Sequence, residues 1–168
     1  MTATIAPVAK TFERNTRRHI DRPLRVSNEV IDFVIVNSSI ALVLVAAGEN
    51  GVCAILLGDD ADELRRDVRD RFPDATLQDG GADLRRIADE VSAVIETPAR
   101  PIDVKFEMRG TTFQKAVWNR LCEIPVGSTV SYGDIAVSLS LPASARAVAQ
   151  ACAANALAVI VPCHRVVR

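Results

Sequence analysis

The sequence predicts an α+β fold, in which a small antiparallel sheet with covering helices is followed by a mainly helical lobe. Three observations lead to this prediction. Apolar runs of strand length follow one another over residues 30–58. Apolar residues then recur at helical spacing up to about residue 96. A proline-rich segment, TPARPI at residues 97–102, separates this half of the chain from the second.

The three apolar runs are VIDFVIV, IALVLVAA and GVCAILLG. Polar residues 37–39 (NSS) separate the first two runs. Residues 50–51 (NG) separate the second from the third, and this dipeptide suits the tight turn of a hairpin. We therefore expect three short antiparallel strands.

Two helices are predicted next, each ending at a proline. Their inward residues are Leu64, Val68 and Phe72 in the first helix, and Leu84, Ile87, Val91 and Val94 in the second. Pro73 and Pro98 follow these sets, and proline cannot continue a helix. The first lobe is thus a small sheet covered by one or two helices.

Three further helices are predicted beyond the linker. The first begins with Thr111 three residues before Gln114, which is the spacing of a capping box, and ends near residues 124–125. Its inward residues are Phe113, Val117 and Leu121, and Trp118 is predicted to be core. A short helix with Ile135, Ala136 and Leu139 inward, then a helix over roughly residues 144–155, complete a helix-turn-helix outline.

These elements divide the 168 residues into a flexible basic arm (1–25), an N-terminal α/β lobe (26–98) and a C-terminal lobe (101–168). The net charge is −1, and the mild basic excess after residue 101 permits contact with nucleic acid without by itself arguing for it. The uncharged stretches 33–48 and 147–163 fall short of the ~20 residues of a membrane span. No secretory signal is apparent, so we expect a cytoplasmic protein.

The four cysteines show no CxxC pairing and are predicted to be free thiols. We expect Cys53, Cys122 and Cys152 to be buried small hydrophobic residues. Cys152, Cys163 and His164 could in principle contribute to a zinc site, but with two histidines in the chain we predict no metal.

The stretch IVPCHRVVR places His164 directly after Cys163. A histidine can raise the thiolate fraction of a cysteine as a base, directly or through one water. Neighbours in a strand point to opposite faces, so the two side chains could cooperate only in an irregular turn such as Pro162 could impose. A cysteine hydrolase is disfavoured, because its two groups normally come from distant segments.

The stretch ASARAVAQACAAN contains seven alanines and a single charge, Arg146. Two interpretations stay open. Small side chains suit a tightly packed buried helix, and they also let a helix backbone lie close to a partner such as the minor groove of DNA, with Arg146 making the specific contact.

Taken together, PCHRVV, ARAVAQACAAN, VSYGDIA and RGTTFQKAVW resemble the O6-alkylguanine-DNA alkyltransferases. The resemblance runs from about residue 30 to residue 168 and is strongest to the C-terminal half of the adaptive-response (Ada) members of the family. It implies a ribonuclease H-like first lobe and a winged helix-turn-helix-like DNA-binding lobe.

The resemblance also implies roles for individual residues. Cys163 matches the acceptor thiol, His164 the residue that activates it through a water, and Asn155 the hinge asparagine that orients the site. Tyr132 matches the tyrosine that assists extrusion of the nucleotide and donates a proton to the leaving base, so it serves both catalysis and DNA binding. Arg146 matches the arginine finger that fills the gap in the base stack.

The remaining DNA-facing positions implied by the resemblance are Ser131, Ala147 and Ala149. The implied function is stoichiometric transfer of an alkyl group from O6-alkylguanine, and possibly O4-alkylthymine, in double-stranded DNA to the protein's own cysteine. No cofactor is needed, and a monomer suffices. The alternative is an Ada-like DNA-binding or regulatory module.

The family pattern continues past PCHRVV with a glycine-containing loop and a helix whose glutamate orients the histidine, whereas this sequence ends at Arg168. We therefore expect the chain as given to have reduced or absent transferase activity and a destabilised core.

Overall fold

The structure, a computed structural model, describes residues 29–142 and 144–168. The predicted basic arm, residues 1–25, lies outside the described residues. The remaining chain has the predicted α+β class.

The three predicted antiparallel strands are β1 (Val30–Asn37), β2 (Leu42–Gly48) and β3 (Gly51–Gly58). The predicted turn joins β2 to β3, and Gly51 has a φ of +116°, a conformation that favours glycine. A Cβ atom at this position would lie 2.4 Å from the carbonyl oxygen of Lys105. Gly51 is therefore required both by the hairpin and by the close approach of the second lobe.

A fourth strand, β4 (Thr76–Asp79), was not predicted. It pairs parallel to β1, so the sheet order is β3-β2-β1-β4. The crossover between β3 and β4 contains α1 (Ala61–Arg71). The strand is short and mostly polar because it lies at the sheet edge, and so it shows none of the apolar alternation that marks a half-buried strand.

Helices α1 and α2 (Ala82–Glu96) cover opposite faces of the sheet. Leu64 and Val68 of α1 pack in one core cluster with Ile31, whereas α2 packs in a second cluster with Val34 and Val36. Successive strand residues point to opposite faces, and these two clusters follow that alternation along β1. Both helices agree with the predicted apolar spacing.

The C-terminal lobe contains the three predicted helices: α3 (Thr112–Cys122), α4 (Tyr132–Ser138) and α5 (Ala145–Ala153). The predicted capping box is present, with the Thr111 hydroxyl accepting from the Gln114 amide at 3.2 Å. Trp118 is buried, as predicted, and its Nε1 donates to the carbonyl oxygen of Ala151 at 2.8 Å. This bond joins α3 to α5.

The C-terminal lobe also covers the outer edge of β3. Val52 donates to the carbonyl of Lys105 at 2.9 Å, and Ile55 donates to the carbonyl of Ala156 at 2.7 Å. The larger core cluster contains residues from both halves of the chain, from Val34 in β1 to Val166 near the C-terminal end. The division of the chain into lobes at residues 98–101 stays a prediction, and it falls in an exposed segment between α2 and α3.

A half-buried ion cluster fastens the start of β1 to the segment before α3. Arg109 donates to the carboxylate of Glu29 at 2.6 Å and to that of Glu107 at 2.8 Å. Its guanidinium carbon also lies 5.4 Å from the centre of the Phe72 ring. The hydrogen bond to Glu29 is the main reason that the pKa of Arg109 is raised.

The cysteine predictions are confirmed in part. Cys53 and Cys152 are buried, but Cys122 is exposed, so the prediction that it is a buried hydrophobic residue is wrong. The inward stripe of α3 is made by Val117, Trp118 and Leu121, and Cys122, the last residue of the helix, lies about 40° beyond Trp118 at the edge of that stripe. Within residues 29–142 and 144–168, no helix is both long and apolar enough to cross a membrane.

Candidate active site

Asn155 fastens the segment that leads from α5 to Cys163. Its Nδ2 donates to the carbonyl of Val161 at 2.9 Å, and its Oδ1 accepts from the amide of Leu157 at 2.9 Å. The same Nδ2 lies 3.6 Å from Sγ of Cys163. One side chain therefore closes the loop through two backbone groups and donates toward the thiol.

Two γ-turns shape the approach to the thiol. In the first, Ile160 donates to the carbonyl of Ala158 at 2.8 Å, and the central residue Val159 has a φ of +71°. A γ-turn with positive φ is rare and strained, especially for a β-branched residue. In the second, Cys163 donates to the carbonyl two residues back at 2.8 Å, with Pro162 at the centre (φ −81°, ψ 64°).

Cys163, His164 and Arg165 form a single 3₁₀ turn after these γ-turns. The chain is thus irregular at Pro162, as the sequence predicted, and Cys163 and His164 are not on opposite faces of a strand. Cys163 is half-buried and His164 is exposed. Among the hydrogen bonds and ion pairs of the described residues, none joins His164 to Cys163 or to a carboxylate.

The turn opens on a cavity of about 350 Å³. Cys163, His164 and Arg165 form one side of it, and the other lining residues are Ile40, Leu57, Val94, Ile95, Pro98, Ala158 and Val159. Partial burial lowers the pKa of His164, and the positive charge of Arg165 lowers it further. The imidazole is therefore held toward its neutral form, in which it can accept a proton.

Arg165 was not singled out from the sequence. Its Nη1 donates to the carbonyl of Ile124 at 2.7 Å, and this carbonyl lies just beyond the C-terminal end of α3. Nothing in the local sequence marks this contact, because 41 residues separate the two partners. The positive φ of Val159 was likewise not predicted, because the apolar stretch of sequence around it is typical of a strand.

A short parallel pairing connects the segment before Tyr132 to the Cys163–Arg165 turn. Strand β5 (Val130–Ser131) leads directly into Tyr132, and β6 (Val166–Val167) follows directly from the 3₁₀ turn. Ser131 caps α4, accepting from the Asp134 amide at 3.1 Å and donating to its carboxylate at 2.7 Å. The hydroxyl and the amide of Ser131 both donate to the Asp134 carboxylate, and these two hydrogen bonds lower its pKa.

The remaining predicted DNA contacts lie on α5 and outside the Cys163–Arg165 turn. Arg146 is exposed near the N-terminal end of the helix, and Ala147 and Ala149 are half-buried. With a rise of ~1.5 Å per residue, Arg146 lies roughly 10 Å along the axis from Ala153, the last residue of α5. The structure therefore brings Cys163 and Asn155 together, places Tyr132 on an adjoining segment, and leaves Arg146 at the opposite end of α5.

A curated protein from Methanosarcina mazei, named a methylated-DNA–protein-cysteine methyltransferase, is 35% identical over 135 residues, which cover 80% of this chain and 81% of that protein. The chain belongs to the methylated-DNA–protein-cysteine methyltransferase family. The family model described as "6-O-methylguanine DNA methyltransferase, DNA binding domain" matches residues 112–168.

The chain is also similar to the bifunctional transcriptional activator/DNA repair enzyme Ada of Escherichia coli, with 41% identity over 141 residues. The match covers 84% of this chain but 40% of Ada, so the chain spans about two fifths of that relative. A crystal structure of the O6-methylguanine methyltransferase of Mycobacterium tuberculosis is also similar, with a TM-score of 0.64 and 29% identity; the match covers 82% of this chain and 78% of that one. The structure of M. tuberculosis OGT in complex with DNA gives a TM-score of 0.61 at 30% identity, with the same coverage.

Proposed function

We propose that this chain repairs DNA by moving a methyl or other alkyl group from O6 of guanine in duplex DNA to Sγ of its own Cys163. The observation that carries the proposal is the placement of Cys163. The thiol lies in a turn fastened by Asn155, beside a histidine held toward its neutral form, at the end of a helix-turn-helix.

The proposed chemistry is a single displacement. His164 takes the thiol proton through a water. The thiolate then attacks the alkyl carbon in line with the bond between that carbon and O6. The S–C bond forms as the C–O6 bond breaks, and the bonding electron pair stays with the guanine. The Tyr132 hydroxyl donates a proton to the leaving base. The thioether product is stable, so each protein molecule reacts once. The reaction needs no cofactor.

Access to the base requires that the nucleotide leave the stack, which costs a few kcal/mol and least for a damaged, weakly paired base. We assign the contact with the DNA minor groove to α5. Its half-buried Ala147 and Ala149 let the helix backbone lie close to the DNA. Arg146 fills the vacated space in the stack, and Ser131 lies next to Tyr132 at the start of α4. A DNA partner is supported by the family model and by the DNA complex of the M. tuberculosis protein.

The deciding experiment is peptide mass spectrometry after mixing the chain with a duplex that contains one O6-methylguanine. We expect one added methyl, confined to the peptide with Cys163. Cys163→Ser is the test variant, and Cys122→Ser is the matched control because Cys122 is the exposed thiol outside the site. A parallel duplex with O4-methylthymine tests the wider substrate range.

A second candidate is favoured by the similarity to Ada, whose name includes transcriptional activation. A folded sample that binds duplex DNA but gains no methyl group would indicate that the chain acts as a DNA-binding module. The same outcome is expected if the transferase activity of the chain is impaired. A monomeric state and a cytoplasmic location complete the proposal, and the four free thiols suit a reducing compartment.

A further inference from the structure

Arg165 connects the catalytic turn to the end of α3. Its Nη1 donates to the Ile124 carbonyl at 2.7 Å, and Ile124 itself is 6% exposed. The Ile124 carbonyl follows the C-terminal end of α3, and the negative end of the helix dipole favours a cation near that end. The contact therefore gives the Arg165 side chain a defined position.

The backbone of Arg165 is fixed as well. Its amide donates to the Pro162 carbonyl at 3.0 Å and so closes the 3₁₀ turn. The next residue, Val166, is buried and pairs with Val130. The turn is thus held on one side by Asn155, described above, and on the other by Arg165.

The charge of Arg165 has little competition around the cavity. Apart from the catalytic turn, every residue that lines the cavity is apolar. Two acids on the neighbouring elements are engaged elsewhere: Glu96, at the end of α2, accepts from the Ser39 amide at 3.0 Å, and Glu123, after α3, pairs with Arg120. Among the ion pairs of the described residues, none includes Arg165.

We infer that Arg165 is a positioning residue for the transfer reaction: it holds the Cys163–Arg165 turn against α3 and keeps a positive charge beside the His164 imidazole. Protonation of the ring is disfavoured by that charge, so His164 stays available as a base at neutral pH. The inference rests on the proposed function, which it extends by assigning a role to a residue that does not contact the reacting atoms.

The test compares Arg165→Met with Arg165→Lys and with Arg168→Met. Methionine removes the charge and the donor, lysine keeps both in a different geometry, and Arg168 is an exposed arginine three positions away that serves as the matched control. The first readout is the pKa of His164, measured by NMR titration. The chain has two histidines, His19 and His164, so the signals of the two rings can be told apart. The rate of Cys163 alkylation by iodoacetamide, measured as a function of pH, is the second readout and needs no DNA.

We expect Arg165→Met to raise the midpoint pH of the His164 titration. It should also slow methyl transfer by roughly tenfold or more, because loss of general-base catalysis typically has an effect of this size or larger. Arg165→Lys should keep the midpoint near that of the parent chain, and Arg168→Met should change neither quantity. The inference is overturned if folded Arg165→Met leaves the midpoint and the pH profile of thiol alkylation unchanged, even if transfer slows equally at every pH. If the parent chain transfers no methyl while the His164 midpoint still moves, the proposed function fails and the electrostatic role of Arg165 stands.

Discussion

Replacing Asn155 by alanine should both destabilise the fold and lower the reactivity of Cys163. The change removes two hydrogen bonds to backbone groups, those with Val161 and Leu157, each contributing a net ~0.5–1.5 kcal/mol. Val161 is fully buried, and its carbonyl loses the Asn155 donor but keeps that of the Cys163 amide. We expect a loss of ~1–3 kcal/mol in the free energy of unfolding, equivalent to a fall in Tm of roughly 2–12 °C for a chain of this size.

Urea denaturation followed by tryptophan fluorescence measures this loss, because Trp118 is the only tryptophan and is buried. Gln150→Ala is the control, since it removes an exposed amide from α5, the helix that precedes Asn155, and should cost less than ~0.5 kcal/mol. Asn155→Asp keeps the acceptor for Leu157 and loses the donor to Val161, so its stability should fall between those of the parent chain and Asn155→Ala. A loss below ~0.5 kcal/mol for Asn155→Ala, with unchanged thiol alkylation, would refute the reasoning.

Four other outcomes follow from the structure. Trp118→Phe should cost ~1–3 kcal/mol in urea denaturation followed by circular dichroism, because a helix carbonyl in the core loses its donor. Arg109→Met should cost about 1–2 kcal/mol in the same assay, less than a fully buried pair, because it strips two half-buried carboxylates of their shared partner. Cys53 and Cys152 should resist iodoacetamide in the folded protein, as read by mass spectrometry, since burial raises the pKa of both thiols, that of Cys152 to about 11. The pKa of His164 is lowered in the folded state, so the unfolded chain binds this proton more readily. Stability should therefore fall as the pH drops below about 6.5, and His164→Gln should flatten that slope in denaturation curves measured across the pH range.

Features set by neighbouring residues could be predicted from the sequence. The capping box at Thr111 depends on a three-residue spacing, and the three antiparallel strands depend on apolar runs punctuated by turn residues. Pairings between distant segments could not be predicted in the same way. Strand β4 is polar because it lies at an edge, and the pairing of β5 with β6 involves two residues on each side, too few for any periodic signal.

Within the candidate site, the sequence suggested candidate functional residues but not most of the backbone conformation that positions them. The adjacency of Cys163 and His164 requires an irregular turn, and Pro162 marks its position. The strained γ-turn at Val159 lies in apolar text that suits a strand, because the positive φ is imposed by its surroundings and not by residue type. Cys122 was placed wrongly because a single position at the border of a helical stripe can face either way.

The covering of the β3 edge also bears on solubility during synthesis. Strand β3, GVCAILLG, is uncharged, rich in apolar residues and free of proline, which is the composition of segments that add to one another as intermolecular sheets. In the folded chain, residues 105–107 and 156–158 bond to the edge that such a sheet would extend. Because these residues are synthesised long after β3, the strand emerges from the ribosome well before its cover. Aggregation in this protein should therefore begin at β3 whenever the later residues fail to dock, whatever the state of the reactive thiol.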